Sequence, residues 1–297
     1  MLPYTAPLLH RADLPEMQSA GVVLDIWRED LNHPQVSGNK WWKLRGALHQ
    51  PDRIANGILT FGGAWSNHLY AVAAACHTLQ IRSVGVVRGE EPETLSDTLA
   101  FCRQQGMQLE FVSRQDFKEL SSVAAYDHWQ PRFGPIHIVP EGGTDAHAVA
   151  SCADWGRGLL EGVAADYDVV CLPVGTGGTM AGLVRGFGGR KKLIGFSALG
   201  NGGFLEEEIR RLSGRRADNW TIETRYAFGG YGKRPAALVA FIRSFRDATG
   251  IPLDVVYTGK MLAGIIDLAR QGYFPRGTRV LALHTGGLQG NSGTVGL

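Results

Sequence analysis

Three features of the sequence predict an α/β fold with open, mostly parallel twisted sheets flanked by helices. From about residue 57 short β-type runs alternate with longer amphipathic segments, the rhythm of βαβ units. Glycine, at 40 of 297 residues, is close to twice its usual share, and it falls in pairs at 62–63, 142–143, 177–178, 229–230 and 286–287, between apolar runs. Collagen-like or low-complexity chains would place it at a fixed period or in polar tracts, so these pairs read as loops on a packed scaffold. With 44% apolar and 20% charged residues, a chain of this length buries a sizeable core, as two domains or as one large α/β unit.

Taken in order, residues 57–61 read as a strand, a helix follows Asn67, and residues 83–88 form the next strand. The helix expected over 96–105 has Thr94 and Asp97 at capping-box spacing, Leu99 and Cys102 on one face, and Gly106 as its stop. Strands at 108–113 and 136–140 and a helix through 148–160 continue the alternation, which resumes with strand 168–173, helix 180–187 and strand 192–197. Leu238, Val239, Phe241, Ile242 and Phe245 recur at helical spacing behind Pro235, which suits a first-turn position. Leu262, Ile265, Ile266 and Ala269 repeat that pattern before Gly272 and Pro275, and the last strand, 280–283, runs into a glycine pair. The middle third is expected to form one sheet and the flanks another.

Charge narrows the function. Against 30 Lys and Arg stand 28 Asp and Glu, and a net charge of +2 offers no electrostatic reason to expect nucleic acid or an anionic membrane as partner. Small-molecule chemistry is favoured. Runs such as Arg190-Lys191-Lys192, and Arg210-Arg211 with Arg215-Arg216 beside Glu206-Glu207-Glu208, read as solvated surface. The four cysteines show no C-x-x-C spacing and read as reduced core thiols. Residues 1–13 contain no apolar signal core, and no stretch approaches the roughly 18 apolar residues of a membrane span, so a soluble cytoplasmic protein is expected. The nine histidines include no i, i+4 pair, and no metal site is expected.

Three segments carry chemistry. Pro173-Val-Gly-Thr-Gly-Gly-Thr-Met-Ala-Gly182 places a glycine loop between an expected strand and an expected helix, so backbone N–H groups, a helix N-terminus and the hydroxyls of Thr176 and Thr179 face an anion. Phosphate is the natural ligand. The loop is not a Walker A motif, because no Lys-Ser/Thr follows, and Met180 stands where a dinucleotide loop needs its third glycine. In Ser37-Gly-Asn-Lys40-Trp-Trp-Lys-Leu44, Lys40 opens an amphipathic segment behind a glycine turn. Aromatic neighbours and the positive end of a helix both disfavour its charge, which suits Schiff-base chemistry. Lys43 reads as a solvated surface lysine. In Thr60-Phe-Gly-Gly-Ala-Trp-Ser66-Asn67-His-Leu69, Ser66 and Asn67 are expected caps whose polar groups suit a substrate carboxylate or a phenolic oxygen. A serine-hydrolase reading fails there, since Gly-x-Ser-x-Gly is absent. A lysine together with a phosphate cradle is what pyridoxal phosphate requires.

Ser37-Gly-Asn-Lys40, Gly62-Gly-Ala-Trp-Ser66-Asn67, Val174 to Gly182, Val256-Tyr-Thr-Gly-Lys260 and His284-Thr-Gly-Gly287 together resemble, in order and spacing, the D-cysteine desulfhydrase / 1-aminocyclopropane-1-carboxylate deaminase family of pyridoxal-phosphate enzymes. The likeness runs from about Arg28 to Gly290. It implies the two-domain, tryptophan-synthase-β-like fold (fold type II), in which residues 49–154 make a smaller α/β domain and residues 1–48 with 155–297 a larger one. It also implies pyridoxal 5'-phosphate in the cleft between them, a small amino-acid substrate and a homodimer. By this resemblance Lys40 carries the cofactor and moves the α-proton, and Asn67 bonds the phenolic oxygen. Gly175, Thr176, Gly177, Gly178 and Thr179 hold the phosphate, Ser66 meets the substrate carboxylate or the reacting carbon, and Tyr231 and Tyr257 face the substrate.

Two positions separate the family's branches. Deaminases carry Glu after the tyrosine of Tyr-x-Gly-Lys and Leu in His-x-Gly-Gly; here those positions are Thr258 and Thr285, as in the desulfhydrases, and the resemblance implies that both bind the cofactor. A carboxylate beside the pyridine nitrogen favours a protonated ring and a strong electron sink, whereas a hydroxyl does not. The expected reaction is therefore α,β-elimination, D-cysteine going to pyruvate, hydrogen sulfide and ammonia. Cyclopropane ring opening, elimination from another β-substituted amino acid such as cysteate, and cofactor binding without turnover are the alternatives. The chain departs from the family in a short stretch between Leu199 and Tyr226 and in Trp41-Trp42, where a residue-Arg pair is usual; both departures are expected to border the entrance or the substrate side.

Overall fold

The computed structural model describes residues 2–121, 125–214 and 218–292, so Arg215 and Arg216 lie outside the described residues. Its strands are β1 (Leu9–Arg11), β2 (Val23–Trp27), β3 (Ile58–Gly62), β4 (Ser83–Arg88), β5 (Gln108–Val112), β6 (His137–Val139), β7 (Val169–Val174), β8 (Lys192–Ser197), β9 (Trp220–Glu223) and β10 (Arg279–Leu283). They form a six-stranded sheet in the order β1-β2-β10-β7-β8-β9 and a four-stranded sheet in the order β5-β4-β3-β6. Every pairing is parallel except β1 with β2.

Parallel sheets need cover on both faces, and the strands show it. In β10, Leu281 and Leu283 pack with Leu183, Phe187 and Trp155, while Val280 and Ala282 pack with Leu262, Ile265 and Phe196. The strand's period of two thus feeds two separate cores. β3 is buried along its whole length. The four-stranded sheet draws its strands from residues 58–139 and the other sheet from residues 9–27 and 169–283. On that distribution we propose the division into a smaller domain at 49–154 and a larger one made of 1–48 and 155–297.

The expected strands at 83–88 and 192–197 occur with those bounds, and the others shift by a residue or two. Missed by periodicity are β1, β2 and β9 and the short helices Pro15–Ala20, Arg114–Leu120, Tyr126–Phe133 and Leu205–Ser213. β2 hides because it carries a buried acid, Asp25, which is held by Arg11 and by the Tyr167 hydroxyl at 2.6 Å. Two capping expectations are corrected. Helix Asp97–Gln104 is capped by Ser96, whose Oγ accepts from Leu99 N at 3.2 Å, rather than from Thr94. Pro235 is the residue before helix Ala236–Thr249 and not within its first turn. All four cysteines are buried free thiols. Among the described residues no helix is long and apolar enough to cross a membrane.

Helices Ala146–Glu161 and Gly178–Phe187 pack together through glycines. A Cβ on Gly182 would lie 2.3 Å from Cys152 Cβ, and one on Gly186 would lie 2.4 Å from Ala153 O. This contact holds up the loop that ends at Thr179. Gly182→Ala should therefore overpack the interface and cost about 1–3 kcal/mol. Gly158→Ala, on the same pair of helices but facing open space, should be neutral or stabilising by up to about 1 kcal/mol. Urea unfolding of the two variants checks the contrast.

Candidate active site

The exits of β2, β7 and β10 lie at one edge of the six-stranded sheet, because Trp27 pairs with Leu283 and Cys171 with Ala282 in parallel register. The exits of β3 and β6 face them from the other sheet. A crevice at the carboxyl ends of parallel strands is where α/β folds bind ligands.

The lysine turn comes first. Gly38, at φ 65° and ψ −139°, precedes helix Asn39–Leu48, and a Cβ there would fall 1.9 Å from the carbonyl oxygen of Thr285, so only glycine fits. Asn39 Nδ2 donates to Thr179 Oγ1 at 2.9 Å and ties the lysine helix to the glycine loop. Burial pushes the Lys40 amine down to about 7, with the charge of Lys43 adding to the effect. Such an amine is largely neutral at slightly alkaline pH.

Lys43 is not a solvated surface lysine, and that expectation is corrected here. It is 3% exposed and shares Lys40's face of the helix at i, i+3. Its Nζ donates to Gly142 O at 2.6 Å and to Thr144 Oγ1 at 2.8 Å, with Thr176 Oγ1 at 3.5 Å. Burial holds its amine at about 8. Trp41 and Trp42 need a second correction, since neither borders the entrance. Trp41 is core, and Trp42 stacks on Trp155 at 5.6 Å and 8°.

The glycine loop runs from Gly175 into helix Gly178–Phe187, which Gly177 (φ 81°) opens without a side-chain cap, leaving its first N–H groups to the cleft. A Cβ on Gly175 would meet the Tyr257 ring at 3.2 Å, and one on Gly178 would meet Thr144 Oγ1 at 2.8 Å. On the facing side, Ser66 caps helix Asn67–Leu79 by accepting from Leu69 N at 3.2 Å. Asn67 is the first helical residue and turns its amide toward Gly287, where a Cβ would come within 2.8 Å of Nδ2.

The resulting cleft is walled by Lys40, Lys43, Asn67, residues 175–179, Tyr257 and Thr285. No acid stands among its lining residues. Three expected site residues lie off this wall. Ser66 sits at its cap position. Tyr231, 47% exposed, stands at the mouth with its ring 6.1 Å from that of Tyr257. Thr258 is fully buried, its hydroxyl accepting from Asp254 N at 2.9 Å and donating to Asp254 Oδ1 at 2.7 Å. Burial, with the neighbouring Tyr231 adding to it, raises the Tyr257 hydroxyl well above its ordinary range, so it is a proton donor and not an anion. Lys260, also buried, donates to Gly230 O at 2.7 Å and to Ala198 O at 3.2 Å, which secures the loop that carries Tyr231.

Sequence reasoning missed Lys43, Gly142 and Thr144. A signal existed, since Lys43 repeats Lys40 at helical spacing and Gly142-Gly143-Thr144 follows a strand as the other site loops do.

These features fit pyridoxal phosphate. The glycines leave room that a Cβ would fill, the uncapped helix start and Lys43 supply donors for a phosphate, and Lys40 supplies a neutral amine. The fold and site are those of a cofactor-dependent enzyme whose lysine and anion cradle face one another across a cleft. Residues 7–286 match the family of pyridoxal-phosphate dependent enzymes, and the chain belongs to that family. It is 26% identical, over 95% of its own length and 76% of the other's, to the mitochondrial bifunctional D-cysteine desulfhydrase/1-aminocyclopropane-1-carboxylate deaminase of Arabidopsis thaliana. To the 1-aminocyclopropane-1-carboxylate deaminase of Rhizobium leguminosarum bv. viciae it is 29% identical, over 92% of its own length and 90% of the other's. The crystal structure of an ACC deaminase homologue superposes with a TM-score of 0.80 at 25% identity, covering 98% of this chain and 92% of that one. It is thus a pyridoxal-phosphate dependent enzyme, similar over nearly its whole length to relatives named for 1-aminocyclopropane-1-carboxylate deamination and D-cysteine desulfhydration.

Because both lysines have depressed pKa values when folded, the unfolded chain binds more protons than the folded apoprotein from about pH 7 up to the ordinary lysine value of 10.5. The apoprotein should therefore gain stability as pH rises through that window, and the gain should shrink in Lys43→Met. Urea midpoints at about pH 6.5 and 9.5 read it. Lys43→Met should also weaken cofactor retention by roughly ten- to a hundredfold, the worth of a hydrogen bond to a charged group, measurable by equilibrium dialysis.

Proposed function

We propose that the protein is a lyase that removes the β-substituent of a small amino acid, with D-cysteine as substrate and pyruvate, hydrogen sulfide and ammonia as products. The observation that carries this reading is the cleft wall itself, whose lining residues include Thr285 and no carboxylate. Bound pyridoxal phosphate supplies an electron sink for the carbanion left by α-proton removal. Without an acid beside its ring nitrogen that sink is weak, which suffices when a thiolate leaves and does not suffice to open a cyclopropane ring with no leaving group.

In this reading the chain's own groups divide the work. The glycine loop and Lys43 anchor the phosphate, and Asn67 bonds the phenolic oxygen. Ser66 and the start of helix Asn67–Leu79 meet the substrate carboxylate. The Lys40 amine, held near neutrality by burial, takes the α-proton. The hydroxyl pair of Tyr257 and Tyr231 donates to the departing sulfur at the mouth. Thr258 acts indirectly, through Asp254 and the start of helix Thr258–Arg270. A homodimer and a cytoplasmic location belong to the proposal by resemblance alone.

Purified protein should release pyruvate from D-cysteine, and Tyr257→Phe should slow it by about 10²–10⁴-fold, the usual contribution of a proton-transfer group. Lys40→Ala should lose the visible absorption band of the bound cofactor, and Lys43→Ala should keep it. A panel that includes cysteate and chloroalanine tests the leaving group. Ketobutyrate from 1-aminocyclopropane-1-carboxylate, the substrate in the names of both relatives, with silence across the panel would replace this reading by ring opening. Silence with every substrate, with cofactor bound, would leave a binding protein.

A further inference from the structure

We propose that Glu29 is a positioning residue for Lys40, acting through the side chain of Asn32 on the turn at Gly38. The inference rests on the reading of Lys40 as the lysine that carries the cofactor.

Glu29 lies two residues past the end of β2 and is fully buried. Its Oε1 accepts from Trp27 Nε1 at 3.0 Å, and its Oε2 accepts from Trp42 Nε1 at 3.2 Å and from Asn32 Nδ2 at 2.7 Å. No cation is among these partners. Asn32, also fully buried, brackets Gly38 from both sides: its Oδ1 accepts from Gly38 N at 2.9 Å, and its Nδ2 donates to Gly38 O at 3.2 Å. An asparagine amide can turn over, and the turned amide would set N–H against N–H and oxygen against oxygen at Gly38. Glu29 excludes that state, because it would bring the Asn32 oxygen against a carboxylate. The same carboxylate grips the lysine helix beyond Lys40 through Trp42, so the residue is held from both sides.

The packing alone does not account for an acid here. A buried carboxylate without a cation costs more than an apolar side chain of its size, so its presence points to orientation and not to stability. All three partners are N–H donors, an arrangement that fits the ionised form, while burial pulls the other way and pushes the carboxyl up to about 7. The other titratable groups that feel its charge are Tyr4 and Cys152.

The test uses the holoenzyme and reads cofactor dissociation by dialysis, the position and pH midpoint of the visible band, and, separately, the melting temperature of the apoprotein. Glu29→Leu should weaken retention roughly tenfold and shift the band's pH midpoint. Glu29→Gln, which still offers one oxygen to Asn32 and Trp42, should restore both readings most of the way. Asn32→Leu should reproduce the loss, and the double variant should be no worse than Asn32→Leu alone, because the two act in series. Retention and midpoint unchanged within twofold in Glu29→Leu, with only the melting temperature lowered, would overturn the inference, as would losses that multiply in the double variant. If Glu29→Leu does not fold, Asn32→Asp decides, since it keeps the volume but faces Glu29 with a like charge; an unchanged retention there counts against the proposal. A wild-type protein without a visible band refutes the assignment of Lys40 itself, a separate outcome.

Discussion

The contact between Gly38 and the backbone of Thr285 is the closest backbone approach at any glycine among the described residues, and the cleft depends on it. It exists because β2 and β10 are parallel neighbours in register, so the chain leaving Trp27 and the chain leaving Leu283 turn over the same sheet edge. Bringing those two loops into backbone contact sets the start of the lysine helix. Asn39 then carries the constraint to Thr179, which joins the lysine to the glycine loop behind β7. Three loops from residues far apart in the chain thus become one wall, with each fixed by the next.

Electrostatics follows from that geometry. Two amines one helical turn apart, buried and with no acid on the cleft wall, cannot both stay charged at neutral pH, and burial lowers each in turn. The apo cleft is therefore poised for an anion. A phosphate over Lys43 removes the mismatch on one side, while the neutral amine of Lys40 is the form that reacts with an aldehyde. Two carboxylates nearby, Asp254 and Glu29, are turned inward. Asp254 is occupied by three backbone N–H groups and the Thr258 hydroxyl, and Glu29 by two indoles and an amide.

Much of the fold was legible because parallel strands with both faces covered read as short apolar runs, as at 83–88 and 192–197. β2 was not, since its buried Asp25 finds its partners in Arg11 on the neighbouring strand and in Tyr167, 142 residues away. Of the cleft-lining residues, Lys40, Asn67 and the loop at 175–179 were legible because each sits at a glycine turn that opens a helix. The expectation for Lys43 failed because a lysine's solvation depends on what covers it, and its cover comes from Gly142 and Thr144, about a hundred residues away.

Sequence alone determined the alternation of strands and helices and the glycine loops, and it singled out Lys40 as a candidate, all from neighbours a few residues apart. It also marked Thr258 and Thr285 as a pair. Only the tertiary structure separated them, placing Thr285 on the cleft and turning Thr258 to Asp254, and only it joined Tyr231 to Tyr257 and Glu29 to the lysine turn. Which way a side chain faces is decided by the partners that strand register and loop packing deliver, and those partners are not neighbours in the chain.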